Sequence, residues 1–184
     1  MTNTIAQEDN LVYKAIEGDE QAFASIYDAY LEGIYRFVYI RVEDHQTAED
    51  ITSTVFLKAW ENLKGYQPRG IPFRAWLFRI ARNSVIDHYR TRKQSAPLDA
   101  VINVVEDDAQ PLSERIGERL QTDEVLAYMQ KLTEDQRNVL ALKFVQGLTT
   151  KEIAQALGKR QGAVRALQMR GLQTLAKLME NHRE

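Results

Sequence analysis

Residues 65–93, GYQPRGIPFRAWLFRIARNSVIDHYRTRK, carry side chains suited to holding a nucleic-acid strand. Arg69, Arg74, Arg79, Arg82, Arg90, Arg92 and Lys93 are interleaved with Tyr66, Phe73, Trp76, Phe78 and Tyr89, and the only acid is Asp87. Cations hold phosphates and rings offer flat faces to unstacked bases, which is what a single strand requires. A second basic stretch spans residues 159–177, where no acid interrupts Arg160, Gln161, Arg165, Gln168 and Arg170. Arg and Gln donors match the major-groove edges of guanine and adenine, and a good bidentate contact discriminates by about 1–3 kcal/mol.

The formal net charge of −2 over 184 residues conceals this pattern. Residues 1–63 carry only Lys14, Arg36, Arg41 and Lys58 against twelve Asp and Glu. Residues 95–119 hold Asp99, Glu106, Asp107, Asp108, Glu114 and Glu118 against Arg115 and Arg119. Screening over about 8 Å at physiological salt means that a ligand feels the local patch and hardly the distant average.

Arrangements for catalysis are thin. There is no cysteine, which excludes disulfides and thiolate metal sites. His45, His88 and His182 share no metal-ligand spacing, and there is no glycine-rich phosphate loop or G-x-S-x-G. Asp44, Glu49 and Asp50 cluster where a helix N-terminus explains them. The expectation is a protein with no catalytic residue, no metal and no cofactor. The segment MTNTIAQEDN lacks the basic start and apolar run of a signal peptide, and no stretch approaches the roughly 20 apolar residues of a membrane span. A cytoplasmic protein without membrane insertion is expected.

The elements that would position these side chains are all helical. Residues 1–8 read as frayed, and Leu11, Val12, Ala15 and Ile16 as a short stripe stopped at Gly18. Ala22, Phe23, Ile26, Tyr27, Tyr30, Ile34, Phe37, Val38 and Val42 then recur at three-and-four spacing, a long amphipathic helix. Thr47 is a candidate N-cap for a third helix, whose inner stripe is Ala48, Ile51, Val55, Phe56, Ala59, Trp60 and Leu63. Its polar face can be either solvated or a partner surface. Residues 65–70 read as a loop, and Pro72 opens a basic helix. A helical wheel places Phe73 and Trp76 in the core and leaves Tyr66, in the loop, as the better base contact. Asp87 is expected to pair with Arg90 at i,i+3.

Residues 95–119 form a linker, since no apolar stripe survives Pro97 and Pro111. Beyond it, Thr133 to Gln136 and Thr149 to Glu152 have the form of capping boxes, with Leu148 and Ile153 as a staple for the second. One helix is expected to run through Val139, Leu140, Leu142 and Phe144 to Gly147. Ala154, Gly158 and Val164 then stand at the crossing, turn and packing positions of a helix-turn-helix. The predicted fold class is therefore all-α. Two small helical domains, 10–94 and 120–180, are joined by a flexible acidic linker over 95–119, and the C-terminal one is a helix-turn-helix. On these residues alone, a helix-turn-helix regulator with an N-terminal helical sensor domain remains an alternative.

The segments AFASIYDAYLEGIYRFVY, TAEDITSTVFLKAWENL, FRAWLFRIARNSVIDHYR and LTEDQRNVLALKFVQGLTTKEIAQALGKRQGAVRALQMRGLQTL occur in an order that resembles bacterial sigma factors. The resemblance is to the small extracytoplasmic-function (ECF) type of the sigma-70 family and covers about residues 11–93 and 122–179. It implies a subunit that binds core RNA polymerase, at the β′ clamp helices and β flap, and directs promoter recognition, DNA melting and initiation. It assigns polymerase binding to Glu49, Asp50, Ser53, Thr54, Phe56 and Lys58. Contacts to the minus-ten element fall to Tyr66, Gln67, Arg69, Arg74, Arg79, Arg82, Asn83 and Arg90. Contacts to the minus-thirty-five element fall to Thr150, Lys151, Arg160, Gln161, Arg165, Gln168 and Arg170. It also implies promoter DNA and an anti-sigma factor as partners. Ser53-Thr54 stand where the family often has Gln-Glu, and A-V-R-A-L-Q stands where it commonly has T-V-K-S-R-L. The base-reading set is therefore this chain's own.

Overall fold

The computed structural model describes residues 2–68, 70–94 and 123–180, and every regular element among them is helical. The expected linker and Arg69 lie outside the described residues. Helix α1, Thr2–Ile16, includes residues expected to fray. Its buried Val12 and Ala15 belong to the core, and Tyr30 donates to Glu8 at 2.5 Å, tying the helix to its neighbour.

Helix α2, Glu20–Val42, starts where the Asp19 carboxylate accepts from the backbone N–H of Gln21 and Ala22 at 2.9 and 3.0 Å. Those bonds satisfy two of the donors that a helix start leaves unpaired. Gly33 does not interrupt it. Helix α3, His45–Asn62, is capped by Asp44 rather than Thr47: the Asp44 carboxylate accepts from the Thr47 N–H at 2.7 Å. The Thr47 side chain, and then this backbone bond, hold the Asp44 carboxyl below its ordinary range. A single 3-10 turn, Leu63–Gly65, leads into the loop before helix α4, Phe73–Gln94. Ile34, Tyr35, Phe37, Val38, Val55, Leu77 and Ala81 make the dry centre of this four-helix body, and Phe37 meets Phe78 edge-on at 5.2 Å.

The second body begins with α5, Asp123–Gln130, and α6, Glu134–Leu140. Both expected capping boxes are present. Thr133 and Gln136 exchange bonds of 3.2 and 3.4 Å, and Thr149 and Glu152 exchange bonds of 2.7 and 3.2 Å. The helix expected to run on to Gly147 instead loosens into a π-helical segment, Ala141–Val145, which turns Phe144 out to solvent. Helix α7, Thr150–Leu157, ends at Gly158, whose φ of +63° is left-handed, and α8, Gln161–Glu180, follows. Leu148, Ile153 and Val164 are wholly buried, as the helix-turn-helix pattern requires. Lys159 pairs with Asp135 at 2.8 Å and ties the turn to α6.

The two bodies pack against each other. Arg41 on α2 donates to the side chain of Asn138 on α6, and both residues are buried. Gln130 reaches the Ile40 carbonyl at 2.5 Å, and α7 lies along α4.

Candidate nucleic-acid interface

The loop that leads into α4 is built around Tyr66, and here the structure corrects the expectation. Tyr66 is only 7% exposed. Its hydroxyl donates to the Ile71 carbonyl at 2.7 Å, and its ring lies 5.6 Å from Phe73 and 5.0 Å from Trp76. Burial pushes its pKa up to about 12. Tyr66 is therefore a peg that shapes the loop, and its ring has no open face for a base. Phe73 is buried and Trp76 partly so, as expected. Gln67, next to the peg, is exposed.

Along α4, Asn83 and Arg90 are exposed, whereas Arg74, Arg79 and Arg82 are half-buried. The helix-turn-helix body covers the first two. Arg74 donates to the backbone carbonyl of Gln146, and Arg79 donates to the backbone carbonyl of Gln155. Gln155 in turn approaches the Gly70 carbonyl of the loop at 3.5 Å. The Nε of Arg82 is buried without an acceptor. Asp87 meets Lys58 of α3 at 3.3 Å, not Arg90.

At the junction a cavity of about 300 Å³ is lined by Arg41, Arg82, Arg90 and Arg137, with Glu134 and Tyr89 among its other walls. Arg41 lies 3.5 Å above the Phe37 ring. Burial and then the neighbouring charge of Arg137 lower its pKa to about 9. Arg137 itself spends its guanidinium on three carbonyls, of Met129 and Gln130 at the end of α5 and of Leu132 just beyond it.

On α3, Asp50, Ser53 and Thr54 are exposed in one row, with Glu49 and Lys58 half-buried beside them. Phe56 is 4% exposed and packs on Tyr27 at 4.6 Å, so it has no face for a partner. Leu57, 59% exposed, takes that place in the row. It stands off the inner stripe at i+4 from Ser53, and this was the available clue. Trp60, expected inside, is also partly exposed, against Phe23 at 4.8 Å.

In the helix-turn-helix, Lys151, Arg160, Gln161, Arg165 and Arg170 are exposed, and Thr150 and Gln168 are half-buried. The side of α8 opposite Val164 and Gly171 is therefore open. A methyl group added at Gly171 would meet Leu140 at 3.0 Å, which shows how closely α8 lies on α6. The described residues include no cluster of His, Asp and Glu able to hold a metal, and no helix among them is long and apolar enough to cross a membrane.

Comparison with known proteins agrees with this layout. Sigma-70 region 2 matches residues 26–95, and Sigma-70 region 4 matches residues 122–175. The chain is 35% identical over 92% of its length to the ECF RNA polymerase sigma factor BldN of Streptomyces coelicolor, and spans 64% of that protein. It is 30% identical to the ECF sigma factor SigX of Bacillus subtilis, over 90% of this chain and 87% of that protein. Among solved structures, CnrH in complex with the cytosolic domain of CnrY aligns with a TM-score of 0.68 at 25% identity, covering 95% of this chain and 98% of that one. RpoE of Bartonella quintana, solved with the anti-sigma factor NepR, shares the fold with a TM-score of 0.67 at 20% identity. With regions 2 and 4 matched in order and relatives aligned over nearly the whole length, the chain belongs to the sigma-70 family, as a promoter-recognising sigma factor of the ECF type.

Proposed function

We propose a division of labour among three faces of this sigma factor. The α3 row of Asp50, Ser53, Thr54 and Leu57, flanked by Glu49 and Lys58, docks on the β′ clamp helices of core RNA polymerase. The loop at Gln67 and the basic side of α4, through Arg74, Arg79, Arg82, Asn83 and Arg90, hold the non-template strand of the minus-ten element. The open side of α8, through Arg160, Gln161, Arg165, Gln168 and Arg170, reads the minus-thirty-five element, with Thr150 and Lys151 meeting its backbone. The chain works in the cytoplasm and supplies binding energy and register, with no catalytic chemistry of its own. An anti-sigma factor is its natural restraint; CnrH was itself captured with a protein partner.

The observation that carries this reading is the presence, in one chain, of an exposed polar-to-apolar row on α3 and an open Arg/Gln face on α8, within matched regions 2 and 4. The test is reconstitution with core polymerase on genomic DNA, followed by sequencing of the 5′ ends of transcripts. A shared pair of upstream elements is expected. Failure to bind core, together with tight binding of the free chain to duplex DNA, would instead establish an independent helix-turn-helix regulator.

A further inference from the structure

The cavity of about 300 Å³ at the seam between the two bodies has a chemistry of its own. Three helices line it: Arg41 comes from α2, Arg82 and Arg90 from α4, and Glu134 and Arg137 from α6. Among the described residues Glu134 is the only acid in the lining, so the wall carries an excess of three positive charges. The four cations differ in what they have left to give. Arg41 donates to the Phe37 carbonyl and the Asn138 side chain, and Arg137 to three carbonyls. All of those acceptors are neutral, so both groups supply a field that these bonds do not cancel. Burial, and then the charge of Arg137, already disfavour the charged form of Arg41. Arg82 holds a buried Nε with no acceptor, and Arg90 is exposed beside the half-open ring of Tyr89. Clustered like charges and an unmet buried donor are both costly, and one anion answers both.

We propose that this cavity is a binding site for a nucleoside diphosphate, with its phosphates on Arg82 and Arg90 and its base against Val85, Ile86 and Tyr89. Guanidinium forks bond phosphate oxygens in pairs, which favours a phosphate over a simpler anion. A phosphomonoester carries about −1.5 to −2 at pH 7, and a diphosphate matches the excess of three more closely. The volume is at the lower end for small-molecule sites, which suits one ligand of nucleotide size. Val85 and Ile86 offer an apolar wall and Tyr89 a ring, as a flat base requires. Glu134 is exposed in the same lining, and its carboxylate accepts from a sugar hydroxyl. The site is distinct from the strand-holding face, because Arg41 and Arg137, half of its cations, belong to no assigned DNA contact.

Isothermal titration calorimetry of the full chain with ADP, AMP and adenosine at physiological salt tests the site. ADP should bind saturably with one site per chain, AMP several-fold more weakly, and adenosine without measurable heat. Arg82→Gln removes the unmet donor and its charge at a half-buried position, and should weaken ADP binding by about 10–100-fold. Ile86→Trp fills the cavity while leaving every arginine in place, and should abolish binding; circular dichroism checks that this variant is folded. Arg160→Gln/Arg165→Gln, on the open side of α8, should bind ADP as the parent does. Absence of saturable ADP binding to the parent chain would overturn the proposal. ADP binding that survives Arg82→Gln, or that is lost in Arg160→Gln/Arg165→Gln, would overturn it as well, because the ligand would then lie on another basic surface. Equal affinity for ADP and adenosine would refute the role given to the arginines.

Discussion

Replacement of Tyr66 separates two roles that the same ring could play at the minus-ten loop. In the structure its hydroxyl bonds the Ile71 carbonyl at 2.7 Å and its ring is wedged against Phe73 and Trp76. Tyr66→Phe removes only the hydrogen bond, at a cost of about 0.5–1.5 kcal/mol. Tyr66→Ala empties a buried aromatic site, and such truncations cost about 3–5 kcal/mol. For a chain of this size each kcal/mol shifts Tm by about 2–4 °C, so Tyr66→Phe should melt a few degrees lower and Tyr66→Ala about 6–20 °C lower. Differential scanning calorimetry measures both, and strand binding below the melting range is measured beside it. A structural peg makes the two losses run in parallel: the alanine variant loses stability first and strand affinity through a misplaced Gln67. A base-stacking ring would give the opposite pattern. If Tyr66→Ala melts like the parent yet fails to hold the strand, the reasoning is wrong and the ring meets DNA directly.

Three further outcomes are expected. Thr149→Ala should destabilise the helix-turn-helix by about 1 kcal/mol through loss of its cap, and Gly158→Ala by about 1–2 kcal/mol because its φ of +63° suits glycine, both read by thermal circular dichroism. Arg165→Ala should relax selection at one minus-thirty-five position by about 1–3 kcal/mol in transcription from a randomised promoter library while leaving other positions unchanged. Tyr35 and Tyr66 have pKa values raised from 10.0 to about 12, chiefly by burial, so the fold favours their protonated hydroxyls. Their contribution to stability is fully present below pH 10 and is lost as the pH rises from 10 through 12. Alkaline melting curves should show that decline, and Tyr66→Phe should flatten it.

What could be read from the chain depended on how local the deciding chemistry was. The boxes at Thr133 and Thr149 and the turn at Gly158 follow from side chains and backbone within a few residues of each other, and they are where the pattern puts them. The inward places of Val164, Phe73 and Ile153 follow from helical period alone. Asp44 displaced Thr47 as the α3 cap because two capping residues stood three apart, and sequence does not say which one begins the helix. Asp87 chose Lys58 over Arg90, a partner from another helix and 29 positions away. Tyr66 was misplaced because a loop with two glycines reads as open, whereas the next helix supplies both rings that bury it and the loop's own Ile71 carbonyl takes its hydroxyl. The seam was illegible for a further reason. Periodicity sorts residues relative to a domain's own core, and it is blind to a second body laid over the polar side. The acceptors there are carbonyl oxygens, which every residue has.

That last point has an evolutionary side. Arg74 and Arg79 grip the main chain at Gln146 and Gln155, in the π-helical exit and α7, and touch none of the side chains on the open side of α8. On the function proposed above, the exposed residues Arg160, Gln161, Arg165 and Arg170 can therefore drift to read a different promoter while the fit between the two bodies is preserved. A lineage of such factors could diversify its targets by duplication and change in one helix, each copy inheriting the same packing between its two bodies.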